Sequence, residues 1–301
     1  MINFILIGLC IAIGALFRQS GTLPKDAHKG INAWIIYVAL PAVSFKYLPY
    51  IQWSTELVLP VISPIIIWAG AWLWIELYSR RQTLDNATIG GLKLTTGLSN
   101  TSFVGFPLIM AYFSEKELGI AIICDQMTFF LFSTVGLMTA VNSSDNHTFS
   151  WGIITRKLLR FPPFLGCIAA LILPLWIDIS LAAPLFDKLA ATVAPLALFS
   201  IGLQLKLKGW QLQIKHISVA LCYKLLIAPL LVFGIVLAFG LHGRIVQISV
   251  FEAAMPTLLS ASIMAADYEL NPDLVNLIIG ISILASLLTT GGWWFVLQMI
   301  Q

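Results

Sequence analysis

The residues best suited to chemistry lie near the middle of the chain, in the run GLSNTSFVGFPL at positions 97–108. Asn100, Thr101 and Ser102 bring an amide and two hydroxyl groups together there. Neutral donors of this kind suit a carboxylate, because they bind it without the full desolvation cost of a buried cation. A helix N-terminus just after the run would add a partial positive charge. The run therefore predicts an anion-binding site.

Helix-breaking residues accompany this polar cluster. Gly105 lets another backbone approach closely, and Pro107 removes one N–H group from a helix. The flanking residues are hydrophobic, and lipid offers no partner for the backbone groups that a break sets free. A helix that loosens here must therefore line a cavity inside the protein. The alternative is that the small polar residues only pack helices together, which is common in membranes.

A second run of this type, EAAMPTLLS, occupies positions 252–260. We expect Pro256, Thr257 and Ser260 to lie opposite the first cluster and to face the same anion. Thr257 and Ser260 are three residues apart, which predicts that they share one face of a helix. The alternative is that each hydroxyl bonds only to its own helix. Two interrupted helices in matching places of a chain indicate the binding site of a transporter.

Two carboxyl groups lie deep within apolar segments. Asp125 is about eight residues and Glu252 about seven residues inside its segment, or roughly 10–12 Å at 1.5 Å per residue. Acidic groups at such depth are costly and are functional candidates by default. We interpret Asp125 and Glu252 as candidates for ion coupling, in which the acid carries a proton. The alternative is a structural hydrogen bond, for example between Asp125 and a freed backbone N–H.

Two prolines indicate an internal repeat. Pro41 and Pro195 are 154 positions apart, each has a phenylalanine four residues later, and the sequence Ile-Met-Ala recurs at the same offset, at 109–111 and 263–265. A proline inside a helix bends it. We therefore expect Pro41 and Pro195 to kink their helices and shape the wall around the site. The alternative is a pair of simple kinks without ligand contact.

The composition identifies the elements that must position these residues. Of the 301 residues, 59% are hydrophobic and only 10% are charged, whereas a soluble domain carries roughly 25% charged residues. The sequence therefore predicts an all-α integral membrane protein, with about 20 apolar residues for each span. We predict ten spans, at 2–18, 30–48, 57–78, 88–112, 117–141, 158–180, 185–205, 216–240, 245–267 and 273–299.

The basic residues orient these spans. Four lie in the even loops, and eleven lie in the odd loops: Arg18, Lys25, Lys29, Arg80, Arg81, Arg156, Lys157, Arg160, Lys206, Lys208 and Lys215. Positively charged loops stay cytoplasmic, so both termini are expected outside the cytoplasm. With five spans in each half, residues 1–145 and 146–301 form an inverted repeat. Lys93 and Lys224 fall inside spans near the cytoplasmic side, and we interpret them as snorkelling to the surface.

Several function classes have no motif in the chain. It contains no phosphate-binding loop, no serine nucleophile elbow and no His-Glu-x-x-His sequence. Its four cysteines and four histidines show no spacing typical of metal ligands. We therefore expect no enzyme, no primary pump, no metal, no cofactor and no nucleic-acid partner. The energy for any transport must come from a gradient.

Four segments carry a family resemblance, at 31–45, 98–108, 197–203 and 254–273. In this order they resemble the auxin efflux carrier family, which includes the plant PIN proteins and bacterial permeases for malate and malonate. The plant carriers have a long cytoplasmic loop between their repeats, whereas the connection here is only 142–155. The resemblance thus favours a compact prokaryotic member in the cell inner membrane and argues against auxin as the substrate.

The resemblance implies a fold similar to the bile acid symporters, with ten helices in two inverted five-helix repeats. Helices 4 and 9 would break and cross at the membrane centre. Helices 1, 2, 6 and 7 would form a scaffold that can form a homodimer, while helices 3–5 and 8–10 would move as an elevator-like transport domain. Asn100 matches the family's crossover asparagine, which contacts the substrate carboxylate. Pro107 and Pro256 match the crossover prolines.

Together these observations predict a secondary active transporter of small organic anions, such as malate, malonate or related carboxylates, with proton coupling. One alternative is a sodium-coupled organic anion symporter that resembles the bile acid carriers. Another is a membrane sensor or scaffold that binds a ligand without moving it. Uptake that follows sodium would favour the first alternative, and binding without transport would favour the second.

Overall fold

The computed structural model describes residues 2–144, 152, 156, 159–205 and 209–299. Within these residues the regular secondary structure is helical, without strands, and one isolated antiparallel bridge joins Ser99 to Thr257. The all-α prediction is confirmed. A hydrophobic chain folds in this way because a helix satisfies its own backbone polar groups where no water is available.

The helical segments of the described chain, each with the short 3-10 or π turn that continues it, follow one another in a simple order. They are α1 (Ile2–Ser20), α2 (Ala27–Tyr50), α3 (Thr55–Ser79), α4 (Asn86–Gly97), α5 (Thr101–Tyr112), α6 (Glu115–Asn142), α7 (Pro162–Leu175), α8 (Ser180–Gln204), α9 (Trp210–Ala238), α10 (Arg244–Ala253), α11 (Ala261–Asp267) and α12 (Pro272–Gln298). Among the described residues, seven of these segments are long and apolar enough to cross a membrane: α1, α2, α3, α6, α8, α9 and α12.

Two of the predicted spans are each divided into two helices. The fourth, predicted at 88–112, contains α4 and α5, and the ninth, predicted at 245–267, contains α10 and α11. Each of the other predicted spans coincides mainly with one helical segment of the described chain. The orientation of the spans, the inverted repeat of 1–145 and 146–301 and the elevator motion remain predictions. The predicted connection 142–155 lies mostly outside the described residues.

The chain divides into two compact units, of which the first comprises Met1–Ser54, Ser102–Ile122 and Thr155–Leu205. Helix α1 packs closely on α8 within this unit, because Gly14 and Gly202 face each other. A Cβ atom placed on Gly14 would lie only 3.0 Å from the Gly202 Cα atom. Small residues allow membrane helices to approach in this way. Arg18 ties the same helix pair together by donating to the Leu203 carbonyl at 3.0 Å.

The second unit comprises Thr55–Thr101, Ile123–Ile154 and Lys206–Gln301. Part of its core is a cluster of buried aliphatic side chains contributed by α3, α4, α9 and α12: Ile75, Leu92, Ile217, Ala220, Leu274, Leu277 and Ile278. The first turn of α4 is capped by Asp85, whose carboxylate accepts from the Thr88 N–H at 2.8 Å. Asn271 caps α12 and also donates to the Thr88 hydroxyl at 3.0 Å, so the starts of α4 and α12 are held together.

Candidate functional site

The first helix break lies within the run singled out in the sequence. Helix α4 ends at Gly97, and Leu98 follows in an extended conformation with φ −109° and ψ 129°. Helix α5 begins at Thr101 with a π turn that continues to Gly105, and its α-helical part begins at Phe106. Pro107 lies in the first turn of that part, where its missing N–H costs little. The interruption is therefore confined to residues 98–100.

The second helix break lies in the second run. Helix α10 ends at Ala253, and α11 begins at Ala261. The residues between them include Pro256, and Thr257 is the one that forms the isolated bridge to Ser99. Thr257 is therefore not helical. The prediction that Thr257 and Ser260 share one helical face is wrong, because the helix ends before either residue.

The two breaks are joined by backbone hydrogen bonds within the second unit. The Asn100 N–H donates to the Pro256 carbonyl at 2.8 Å, and the Leu258 N–H donates to the Leu98 carbonyl at 3.0 Å. We call residues 98–100 and 256–258 together the crossover. Each broken segment supplies the partners that the other has lost, so the interruption is possible without exposing backbone groups to lipid.

Thr257 strengthens the crossover through two further contacts. Its hydroxyl donates to the Thr95 carbonyl at 2.8 Å, and its N–H donates to the Ser282 hydroxyl at 3.2 Å. Thr95 lies in the last turn of α4, where a helix leaves its carbonyl groups without helical partners. Thr257 was predicted to bind the anion, but in this structure its side chain completes the end of α4.

Asn100 is a predicted anion ligand whose buried side chain has no hydrogen-bond partner for either of its polar atoms in the described structure. It is 1% exposed, and neither Nδ2 nor Oδ1 has a partner. Buried polar groups are nearly always paired, so an unpaired amide calls for an explanation. The hydroxyl of Thr96, one helical turn earlier, is also buried without a partner. The amide is thus available to a ligand that the chain itself does not contain.

Thr101 and Asp125 form a buried pair beside the crossover. The Thr101 hydroxyl donates to the Asp125 carboxylate at 2.6 Å, and both residues are buried, at 1% and 7% exposure. A hydrogen bond from a hydroxyl to an ionised carboxylate is shorter and stronger than one between two neutral groups. The hydroxyl that the sequence assigned to the anion is therefore used by Asp125 in this structure.

Glu252 has the opposite environment. It lies next to the last residue of α10 and is 2% exposed, and neither carboxylate oxygen has a hydrogen-bond partner among the described residues. It interacts electrostatically with Asp125 and with Lys224. The two predicted coupling residues therefore lie within electrostatic range of each other, and in the described structure Asp125 accepts a hydrogen bond from a neighbouring side chain whereas Glu252 does not.

Lys224 lies at the crossover, a role that its position in the sequence did not indicate. It lies in a π turn of α9 at Tyr223–Ile227, it is 0% exposed, and its ammonium donates to the Ser99 hydroxyl at 2.5 Å. The snorkelling interpretation is wrong for Lys224, because the side chain turns toward the crossover instead of the cytoplasmic surface. Pro229, five residues further on, was the available signal, since proline often accompanies a local change in helix register. Lys93 ends in an ion pair with Glu76 at 3.0 Å.

The remaining predicted residues lie in other surroundings. Ser102, Gly105 and Pro107 are buried in α5 and belong to the first unit, and Ser260 is half-buried just before α11. Pro41 and Pro195 also belong to the first unit. Pro41 packs on Gly166: a Cβ atom added to Gly166 would lie 2.8 Å from the Pro41 Cα atom. Pro195 lines a cavity of about 200 Å³.

Apolar helices that cross a membrane, together with two helices broken at one buried polar site, define the class of membrane transporters. The chain matches the family model described as "Membrane transport protein" over residues 2–294 and belongs to this family, the auxin efflux carrier family. The resemblance seen in the sequence is confirmed.

Three relatives align with almost the whole chain. An "Uncharacterized transporter" of Methanothermobacter thermautotrophicus is 28% identical over 294 residues, covering 95% of both chains. An "Uncharacterized transporter" of Methanocaldococcus jannaschii is 24% identical and covers 96% of both chains. A protein of Rhizobium meliloti described as "Putative malonate transporter" is 24% identical, covering 96% of this chain and 92% of its own.

Proposed function

We propose that this membrane transporter is a secondary active carrier of small organic anions, with carboxylates as the substrate class. The observation that carries the proposal is the Asn100 amide, which is 1% exposed and has no partner, beside the backbone pairing of the crossover. A carboxylate could use the amide as a hydrogen-bond donor without requiring the protein to bury another ion there. The chain's membership of a transporter family supports movement of the ligand over simple sensing.

The substrate class draws support from one relative. The Rhizobium meliloti protein is described with malonate, and its 24% identity extends over 96% of this chain. We extend that description here only as a choice of probe: a small dicarboxylate. Malate, malonate and monocarboxylates of similar size form the panel that separates a dicarboxylate site from a general carboxylate site.

We further propose an elevator-like mechanism in the cell inner membrane, with both termini outside the cytoplasm and a homodimer formed through the scaffold. The division of the chain into two compact units supports separate scaffold and transport parts. The first unit holds α1, α2, α7 and α8, as the scaffold requires, but also nearly all of α5 and the start of α6. The second holds α3, α4, the rest of α6 and α9–α12. The ion that drives transport is proposed to be a proton, carried by Asp125 or Glu252.

The test is counterflow in liposomes that contain the purified protein, with labelled malonate outside and each unlabelled acid of the panel inside. We expect one or more carboxylates to drive uptake, and an inward proton gradient to accelerate it. Acceleration by sodium at constant pH would instead favour the sodium-coupled symporter. Absence of counterflow by every carboxylate, in protein that remains folded and monodisperse, would contradict the proposal.

A matched pair of variants connects this activity to the site. Asn100→Ala removes the unpartnered amide, whereas Asn86→Ala removes an exposed amide at the beginning of α4. We expect the first to weaken substrate binding and the second to leave it unchanged. Equal behaviour of the two variants would place the anion elsewhere.

A further inference from the structure

Lys224 is a buried cation with unused hydrogen-bonding capacity. A lysine ammonium has three N–H donors, and in the described structure Lys224 makes one hydrogen bond, to the Ser99 hydroxyl. Its exposure is 0%. An ammonium that is removed from water and only partly paired is costly. Such a group is suited to binding an anion, which would supply the charge and the acceptors that the ammonium can still use.

Glu252 is the complementary group, since both of its oxygens are buried and unpartnered. It interacts electrostatically with Lys224, but no hydrogen bond joins the two side chains. The pair of Lys93 and Glu76 in the same unit is different, because those side chains meet directly at 3.0 Å. Lys224 and Glu252 thus interact without a direct contact, and each retains free hydrogen-bonding positions for a third group.

We propose that Lys224 binds the carboxylate of the substrate, that the anion replaces Glu252 as the electrostatic partner of Lys224, and that Glu252 takes up one proton when the anion binds. This inference rests on the proposed function and names the residue that couples the anion to the proton. It makes Glu252, and not Asp125, the coupling acid.

The charge balance explains why a proton accompanies the anion. If Lys224 is charged and both Asp125 and Glu252 are ionised before the anion binds, the three groups carry a net charge of −1. A bound carboxylate would make this −2 in a buried site, and one proton from the aqueous phase, bound to a Glu252 oxygen, restores −1. The same proton leaves Glu252 when the anion leaves. Keeping the charge constant avoids the large cost of an additional unpaired ion in the interior.

The surroundings favour Glu252 over Asp125 as the group that changes its protonation. The ionisable groups that interact with Glu252 in the described structure are Asp125 and Cys124 on α6 and Lys224 on α9. Asp125 accepts the 2.6 Å hydrogen bond from Thr101, which stabilises its ionised form. Glu252 has no such donor, so its ionised form depends on Lys224, the group for which the substrate competes.

The experiment counts protons during binding. Malonate is titrated into the purified protein by calorimetry, in two buffers with different ionisation enthalpies at the same pH. We expect the unmodified protein to take up about one proton for each malonate bound, because Glu252 can accept only one. Glu252→Gln should still bind malonate, but with no linked proton and with an affinity that no longer varies with pH. Proton uptake that persists in Glu252→Gln, or that is lost in Asp125→Asn instead, would overturn the proposal.

A second set of variants tests Lys224. Lys224→Gln should weaken malonate binding by about 10- to 150-fold, the range for one hydrogen bond to a charged group. The control is Lys93→Gln, which removes a lysine that is already paired with Glu76 and should leave the affinity unchanged. Unchanged affinity in Lys224→Gln would overturn the proposal.

The double variant Lys224→Gln with Glu252→Gln guards against loss of folding, because removal of one member of a buried charge pair is far more destabilising than removal of both. We expect this variant to fold, to bind weakly and to take up no proton. Strong binding by the double variant would exclude Lys224 as the cation. If the unmodified protein binds no carboxylate, the proposed function itself fails. If the unmodified protein binds a carboxylate but Lys224→Gln binds it equally well, the proposed function stands and only the role of Lys224 fails.

Discussion

Asn100→Ala should weaken binding without destabilising the ligand-free protein. The amide has no partner in the described structure, so its removal eliminates two buried polar atoms without breaking a protein hydrogen bond. An unsatisfied buried group costs about 1–3 kcal/mol, and the packing lost with the side chain offsets part of this gain. We therefore expect the free energy of unfolding of the ligand-free protein to stay the same or to increase.

Binding should weaken in the same variant. A hydrogen bond to a charged group contributes about 1.5–3 kcal/mol. At about 1.4 kcal/mol for each factor of ten, this corresponds to a dissociation constant larger by about 10- to 150-fold. The variant would then lose affinity without losing stability. This combination is typical of a residue whose polar atoms are paired only when the ligand is bound.

Thr257→Val is the comparison from the same crossover. Its hydroxyl donates to the Thr95 carbonyl at 2.8 Å, so valine of nearly equal size leaves that buried carbonyl unpaired. We expect this variant to lose about 1–3 kcal/mol of stability while it binds the anion with little change in affinity.

Thermal unfolding of the purified proteins in detergent, with and without malonate, measures both quantities together. Without ligand, the Asn100→Ala midpoint should not fall, and the Thr257→Val midpoint should. Addition of malonate should then raise the midpoint of Thr257→Val but hardly that of Asn100→Ala. The reasoning is refuted if Asn100→Ala is destabilised as much as Thr257→Val and still responds fully to the ligand.

Three further predictions concern other parts of the chain. With the native cysteines replaced, Thr83→Cys should react with a membrane-impermeant thiol reagent from the cytoplasm and His242→Cys from outside; the reverse result would invert the topology. Gly97→Ala should destabilise the protein by about 1–3 kcal/mol, because the new Cβ atom would lie 2.6 Å from the Trp68 ring; unaltered thermal unfolding would disprove this packing. Asn271→Ala should lower stability more than Asn271→Gly. Both variants lose the side-chain cap of α12, but only alanine is strained by the left-handed backbone at φ 49°; equal midpoints of thermal unfolding would contradict this.

The helix breaks were predictable from sequence because their signal is local. Glycine, proline and polar residues inside apolar segments indicate an interruption, and the structure has one at 98–100 and another between Ala253 and Ala261. The composition alone predicted the helical fold, since a membrane leaves few other ways to pair a backbone. The burial of Asn100, Asp125 and Glu252 also agrees with their position along the chain.

The partners of these residues could not be predicted, because they depend on which way side chains turn. The position of Lys224 along its helix does not determine which way its side chain points, because the aliphatic part is long enough to reach either the surface or the interior. The pairing of Thr101 with Asp125 joins residues from two different helices, and one sequence contains no sign of that contact. Thr257 was placed on a helical face by its spacing, but its extended conformation is imposed by residues 98–100.

The pairing within the crossover also has a consequence for biogenesis. Ser99 and Thr257 are 158 positions apart, and a chain emerges from the ribosome with its N-terminus first. While α4 and α5 enter the membrane, the Leu98 carbonyl and the Asn100 N–H have no partner, and lipid cannot supply one. The crossover is therefore among the last parts of the molecule to form, after residues 256–258 have been synthesised. A chain that ends after α9 would lack residues 256–258 and would leave the Leu98 carbonyl and the Asn100 N–H without these partners.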